Sequence, residues 1–186
     1  MGCNKFKLMT MMFVAGAAAL GSYGQANATS EAVTCTANSG TGAQKPGWVC
    51  LSNGAVPAGW NCLASGQTTA QFAWLANFGS KGNISATLTS NYGTGGSTST
   101  PMTPKASASF KSKGNSMGVF MLVTQNASGP GNYAPKSVVA SQTFLPAAGS
   151  SATVFTMTVA GEDLDVSNVG YQDAVVTVNC TAPDPS

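Results

Sequence analysis

From residue 32 to residue 180, apolar side chains recur at every second position or in short unbroken runs, with turn residues between them. Ile84-Ser85-Ala86-Thr87-Leu88-Thr89 alternates, placing Ile84, Ala86 and Leu88 on one face. Thr153 to Val159 turns Phe155, Met157 and Val159 inward, and Ala174 to Cys180 puts Val176, Val178 and Cys180 on one side. A period of two is the period of a strand, because successive side chains point to opposite faces. Beyond residue 28 no segment sustains the 3.6-residue apolar period of a helix. The chain is therefore expected to be all-β: a single antiparallel β-sandwich, immunoglobulin-like or jelly-roll-like, of roughly seven to nine strands.

The remaining strand candidates are less regular. Ala32 to Ala37, Gln71 to Ala76, Ala106 to Lys111 and Ser137 to Phe144 each carry a short β-prone run. Met117-Gly118-Val119-Phe120-Met121-Leu122-Val123-Thr124 is almost continuously apolar, the pattern of a strand covered on both sides. Tyr92 to Pro101 and Asn126 to Pro135 are rich in Gly, Pro and hydroxyl residues and read as exposed loops.

The amino terminus sets the compartment. Lys5 and Lys7 precede the uncharged run Leu8 to Leu20, and Ala26-Asn27-Ala28 supplies a small-x-small cleavage site. Charge, then grease, then small residues is the order of a secretory signal peptide. Its apolar run is shorter than the roughly 20 residues of a membrane-spanning helix. Residues 1–28 thus read as a cleaved leader and 29–186 as one exported domain with a flexible tail at 181–186. The expected location is the periplasm, cell surface or extracellular space, with no membrane span in the mature chain.

Export gives the cysteines their meaning. Cys3 leaves with the leader, and Cys35, Cys50, Cys62 and Cys180 remain, an even set that reads as two disulfides. The favoured pairing is Cys50–Cys62, closing a Trp-flanked unit around Asn53-Gly54 and Pro57-Ala58-Gly59, with Cys35–Cys180 tying first strand to last. Cys35–Cys50 with Cys62–Cys180 stands as the alternative.

Charge excludes several function classes. After residue 28 six lysines balance six carboxylates, and the whole sequence has neither Arg nor His. A neutral chain without Arg lacks the basic footprint of a nucleic-acid binder. Without His there is no Ser-His-Asp or Cys-His nucleophile and no imidazole zinc site.

Gly170-Tyr171-Gln172-Asp173 followed by Ala174-Val175-Val176-Thr177-Val178 resembles the C-terminal strand of fimbrial subunits of the spore-coat-U-like and archaic chaperone–usher type. That resemblance implies an incomplete immunoglobulin-like sandwich, completed by a strand from a chaperone or neighbouring subunit. It implies an adhesive or structural role at the cell surface, with other subunits as partners. Two features depart from the pattern. Only Thr29 to Thr34 precede Cys35, too short for a donor strand, and Cys180 with a six-residue tail follows the last strand.

Three site readings follow from the residues themselves. Glu162, Asp163, Asp165 and Asn168 place four oxygen ligands within seven residues, a calcium candidate, with a solvated turn as the plainer reading. The same acids, with Asp173 opposite, are where a carboxylate hydrolase pair would lie. Tyr92 and Tyr133, in loops, and Trp48 and Trp60, beside cysteines, are candidate aromatic contacts for a glycan. Core packing over a disulfide is the favoured role for the two tryptophans. The leading expectation is thus a non-enzymatic, pilin-like surface protein assembling through strand edges, needing no cofactor. A secreted carbohydrate-binding module is the alternative, and a carboxylate hydrolase the third.

Overall fold

A computed structural model describes residues 30–40, 45–69, 72–80, 83–93, 99–144, 154–162 and 173–183. The leader at 1–28 lies outside these, as do Asp163, Asp165 and Asn168 and the last three residues of the tail. The described residues contain strands and no helix. In chain order these are β1 (Ser30–Val33), β2 (Cys35–Asn38), β3 (Gly47–Ala55), β4 (Asn61–Thr68), β5 (Ala73–Ser80), β6 (Ala86–Thr89) and β7 (Thr100–Pro101). Then come β8 (Thr103–Pro104), β9 (Ser109–Lys111), β10 (Ser116–Asn126), β11 (Gly129–Tyr133), β12 (Ser137–Phe144), β13 (Val154–Glu162) and β14 (Ala174–Thr181).

They form two antiparallel sheets. Sheet I runs β1-β12-β13-β14-β4-β7, with β9 also paired to β4. Sheet II runs β2-β3-β10-β5-β6-β8, with β11 paired to β10. The two sheets bury their facing side chains in one cluster, as an all-β sandwich must. Phe155, Met157, Val159, Val176 and Val178 come from sheet I; Trp74, Phe78, Leu88, Val119 and Met121 meet them from sheet II. The alternation in β13 and β14 is therefore realised as expected. Ile84 is a correction. It precedes β6, which begins at Ala86, and is 67% exposed.

The sandwich is closed on both flanks because the chain changes sheet there. Thr34 carries it from β1 in sheet I to β2 in sheet II, and Met102 carries it from β7 to β8. On the first flank buried Gln142 of β12 stitches the sheets. Its Oε1 accepts from the Asn53 backbone N–H at 2.7 Å, and its Nε2 donates to the Asn53 carbonyl at 3.2 Å. On the second, Met102 is buried and its N–H donates to the Gly66 carbonyl at 2.8 Å.

The favoured disulfide pairing is overturned. The bonds are Cys35–Cys50 and Cys62–Cys180. Each joins residues directly opposite on neighbouring strands, β2 to β3 and β14 to β4, with Cα separations of 4.1 and 4.0 Å. Cys50 and Cys62 are near in sequence, but the chain between them crosses from sheet II to sheet I. Cys35 and Cys180 likewise lie in different sheets. Disulfides form and persist in oxidising compartments, so the two bonds place the folded chain outside a reducing cytosol.

Candidate functional site

The longest strand, β10, carries apolar residues on both faces and leads to the site. Met117, Val119, Met121 and Val123 point into the core and are buried. Phe120 and Gly118 point outward and are only half-buried. The expectation that this strand is covered on both sides therefore holds at Leu122, which is fully buried, and fails at Gly118 and Phe120. Its outer face is the floor of a groove of about 620 Å³, within the usual range for small-ligand sites.

Neighbouring strands supply the rest of the floor. Register sets Val49 of β3 and Asn77 of β5 on either side of Phe120, and Leu51 and Gly79 on either side of Gly118. Leu75 continues the apolar strip, and exposed Ile84 forms one wall. Polar groups stand at the margin: Asn38, Lys45, Ser80 and Asn83. Lys45 is the one ionisable side chain among the described lining residues, and no carboxylate is among them.

Two of the amides are held differently. Asn38 is spent on its own turn, its Nδ2 donating to the Lys45 carbonyl at 3.2 Å and its Oδ1 accepting from the Gly40 N–H. Asn77 receives a 2.7 Å hydrogen bond on Oδ1 from the Thr87 hydroxyl. Thr87 approaches from β6, on the side of β5 away from β10, so the Asn77 Nδ2 donor is left for the groove.

Phe120 is placed by a glycine. A Cβ added at Gly47 would lie 2.5 Å from the Phe120 Cε2, so only glycine lets the ring lie across β3. The groove is then an apolar floor with one aromatic ring, one directed amide donor and a mostly neutral rim.

None of the sequence-selected aromatics lines it. Trp60 is buried in the core at 7% exposure. Trp48 is half-buried and packs against that core, its indole N–H donating to the Pro135 carbonyl at 2.8 Å. Tyr133 is not in a loop but in β11, half-buried against the core, because the stretch after Asn126 is a β-hairpin. Tyr92 is 40% exposed and stacks on Phe72 at 6.4 Å, away from the groove. Sequence reasoning missed Phe120 and Asn77. The signal was present in the unbroken apolar run of β10, whose outward residues needed an occupant.

The acidic cluster is only partly in view. The Glu162 side chain is buried at the end of β13, and its carbonyl accepts from the Lys136 N–H. Asp173 holds the other strand end, its carbonyl accepting from the Thr69 N–H and the Thr68 hydroxyl. No group of three metal-ligating side chains occurs among the described residues. No described helix is long and apolar enough to cross a membrane.

No protein-family model matches the chain, and no curated protein matches it. Three solved structures show partial likeness. The Chromobacterium violaceum lectin CV2L, in complex with alpha-methyl-fucoside, is 15% identical with a TM-score of 0.46, over 68% of this chain and 92% of that one. The C-terminal domain of the BC2L-C lectin from Burkholderia cenocepacia is 14% identical with a TM-score of 0.45, over 69% and 96%. The Ralstonia solanacearum high-affinity mannose-binding lectin is 18% identical with a TM-score of 0.43, over 69% and 96%. With overlap this partial, the reading of the groove rests on its own residues.

Proposed function

We infer that this protein is an exported carbohydrate-binding domain whose binding face is the outer surface of sheet II. The observation that carries the reading is the open groove over β3, β10 and β5: an apolar floor with Phe120 and a directed Asn77 amide. A sugar ring has the complementary build, with C–H bonds on its faces and hydroxyls around its edge. Burying the faces on Val49, Leu75 and Phe120 supplies the non-directional attraction. The amides then fix orientation. The described lining offers no pair of carboxylates for glycoside hydrolysis, and the role proposed for the groove is binding.

A panel of neutral glycans tests this. The account expects one class to bind and Phe120→Ala to weaken that binding roughly tenfold or more, the scale of a central aromatic contact. A protein that binds no glycan, or that binds equally well without the ring, contradicts it.

The fimbrial reading draws on the segment 170–178, of which residues 173–178 are described, and on edge strands for assembly. The terminal strands of the two sheet orders are short, four residues in β1 and β2 and two in β7 and β8. Such edges offer few backbone groups for an added strand. Concentration-dependent polymers in size-exclusion chromatography would favour assembly over the carbohydrate reading.

A further inference from the structure

The outer face of sheet I has a concavity of its own, about 610 Å³, over β14, β4 and β9. Two cross-strand rows build it. In the first, Asn179 of β14, Leu63 of β4 and Ser109 of β9 are successive direct partners. In the second, the partners are Thr181, Asn61 and Lys111. These side chains share the outer face because Cys62, Phe110 and Cys180, which alternate with them, turn toward the core. The Cys62–Cys180 bond stands next to the Leu63–Asn179 pair and fixes β4 against β14.

The chemistry of this floor differs from that of sheet II. Leu63 is 51% exposed and is the one apolar side chain that the described lining turns outward. Donors stand around it. Asn179 Oδ1 accepts a 2.7 Å hydrogen bond from the Thr156 hydroxyl on β13, the side away from β4, so Nδ2 is left toward Leu63. Lys111 is diagonal to Leu63 across β9 and β4, about 7–8 Å away and within reach of a long side chain. Its ammonium is the sole charge of the described lining, which contains no carboxylate. A small aliphatic platform among donors suits a polar ligand with one apolar face, as a sugar ring has. A fatty or aromatic acid needs a larger apolar surface than Leu63 offers. A cation with no carboxylate beside it suits a ligand that brings the carboxylate itself.

We propose that this concavity is a second binding site, for the carboxylate-bearing residue of a uronic-acid glycan. The carboxylate meets Lys111, with the Asn61 amide beside it. The C–H face of the ring covers Leu63, and Asn179 Nδ2 donates to a ring hydroxyl. This site does not rest on the groove of sheet II: it lies on the opposite face of the sandwich, and its ligand is charged where the other is neutral.

Trigalacturonate and its methyl ester test the assignment, because they share every linkage and differ in charge. Calorimetric titration of the purified protein is expected to show the acid binding roughly fivefold or more tightly than the ester, with the difference shrinking as salt is raised. Lys111→Met keeps the aliphatic stem and should bring the two affinities together. Lys105→Met removes the same charge from an exposed position outside the concavity and should leave both affinities within about twofold. All of these lysines are exposed, so folding is not at stake. Amide chemical-shift mapping with trigalacturonate should move Asn61, Leu63, Lys111 and Asn179. No binding, equal affinities for acid and ester, equal losses from the two lysine variants, or perturbations confined to sheet II each overturn the second site. The neutral-glycan reading stands or falls separately, on its own panel.

Discussion

A few buried polar side chains do more to define this sandwich than its many surface hydroxyls. Gln142 is 3% exposed and satisfies both backbone groups of Asn53 across the gap between sheets. Gln142→Ala would remove both of these hydrogen bonds, at about 0.5–1.5 kcal/mol each. Ser112 is similar: its hydroxyl accepts from the Trp60 N–H at 2.9 Å and donates to the Pro57 carbonyl. Thr156 makes an equally short bond to Asn179, at 2.7 Å, but that pair is exposed. Chemical denaturation should therefore show clear losses for Gln142→Ala and Ser112→Ala. Thr156→Ala should stay within about 0.5 kcal/mol of the parent. Equal effects at all three sites would mean that burial is not what gives these bonds their weight.

At the scale of elements, each disulfide pins a pair of neighbouring strands within one sheet. Peptide mapping without reduction is expected to recover Cys35–Cys50 and Cys62–Cys180 and no other pair. The loops they close differ in length, with separations of 15 and 118 residues. In the chain-entropy account the shorter contributes about 3 kcal/mol and the longer about 5. Replacing Cys62 and Cys180 by Ala should thus lower stability more than replacing Cys35 and Cys50. The all-β class and the inward faces of β13 and β14 could be read from the chain because alternation is local. Which strands become neighbours could not, because that depends on where the chain changes sheet, as it does at Thr34, at Met102, between Ala55 and Asn61 and at several further connections. The same limit hid the site. Phe120 and Asn77 are 43 residues apart and meet only through the pairing of β10 with β5. An apolar outward residue in β10 looks, in sequence, like one more core residue.

The whole molecule has two unlike outer faces. On sheet I the outward positions of β13 and β14 carry Thr156, Thr158, Thr177 and Asn179, which bond to one another across the strands. Leu63 of β4 and Val139 of β12 stand exposed on the same sheet, singly rather than in a continuous strip. On sheet II the outward positions are Val49, Leu75 and Phe120 beside Asn77, an apolar strip with an unspent donor. The longer apolar strip is the reason recognition of a neutral glycan is assigned to sheet II, although sheet I has a groove of its own, about 610 Å³, beside Leu63 and Phe110. Because Lys45 is the sole charge among the described residues lining the sheet II groove, affinity there should change by no more than about twofold between low and high salt. A steep salt dependence in the same titration would point to a charged ligand. The most direct test of the account is backbone amide chemical-shift mapping during titration with the neutral glycan that the panel identifies. The account predicts perturbations concentrated on Val49, Leu51, Asn77, Gly79, Gly118 and Phe120, with sheet I silent. Perturbations on Thr156, Thr158, Thr177 and Asn179 with those groove residues unmoved would contradict it.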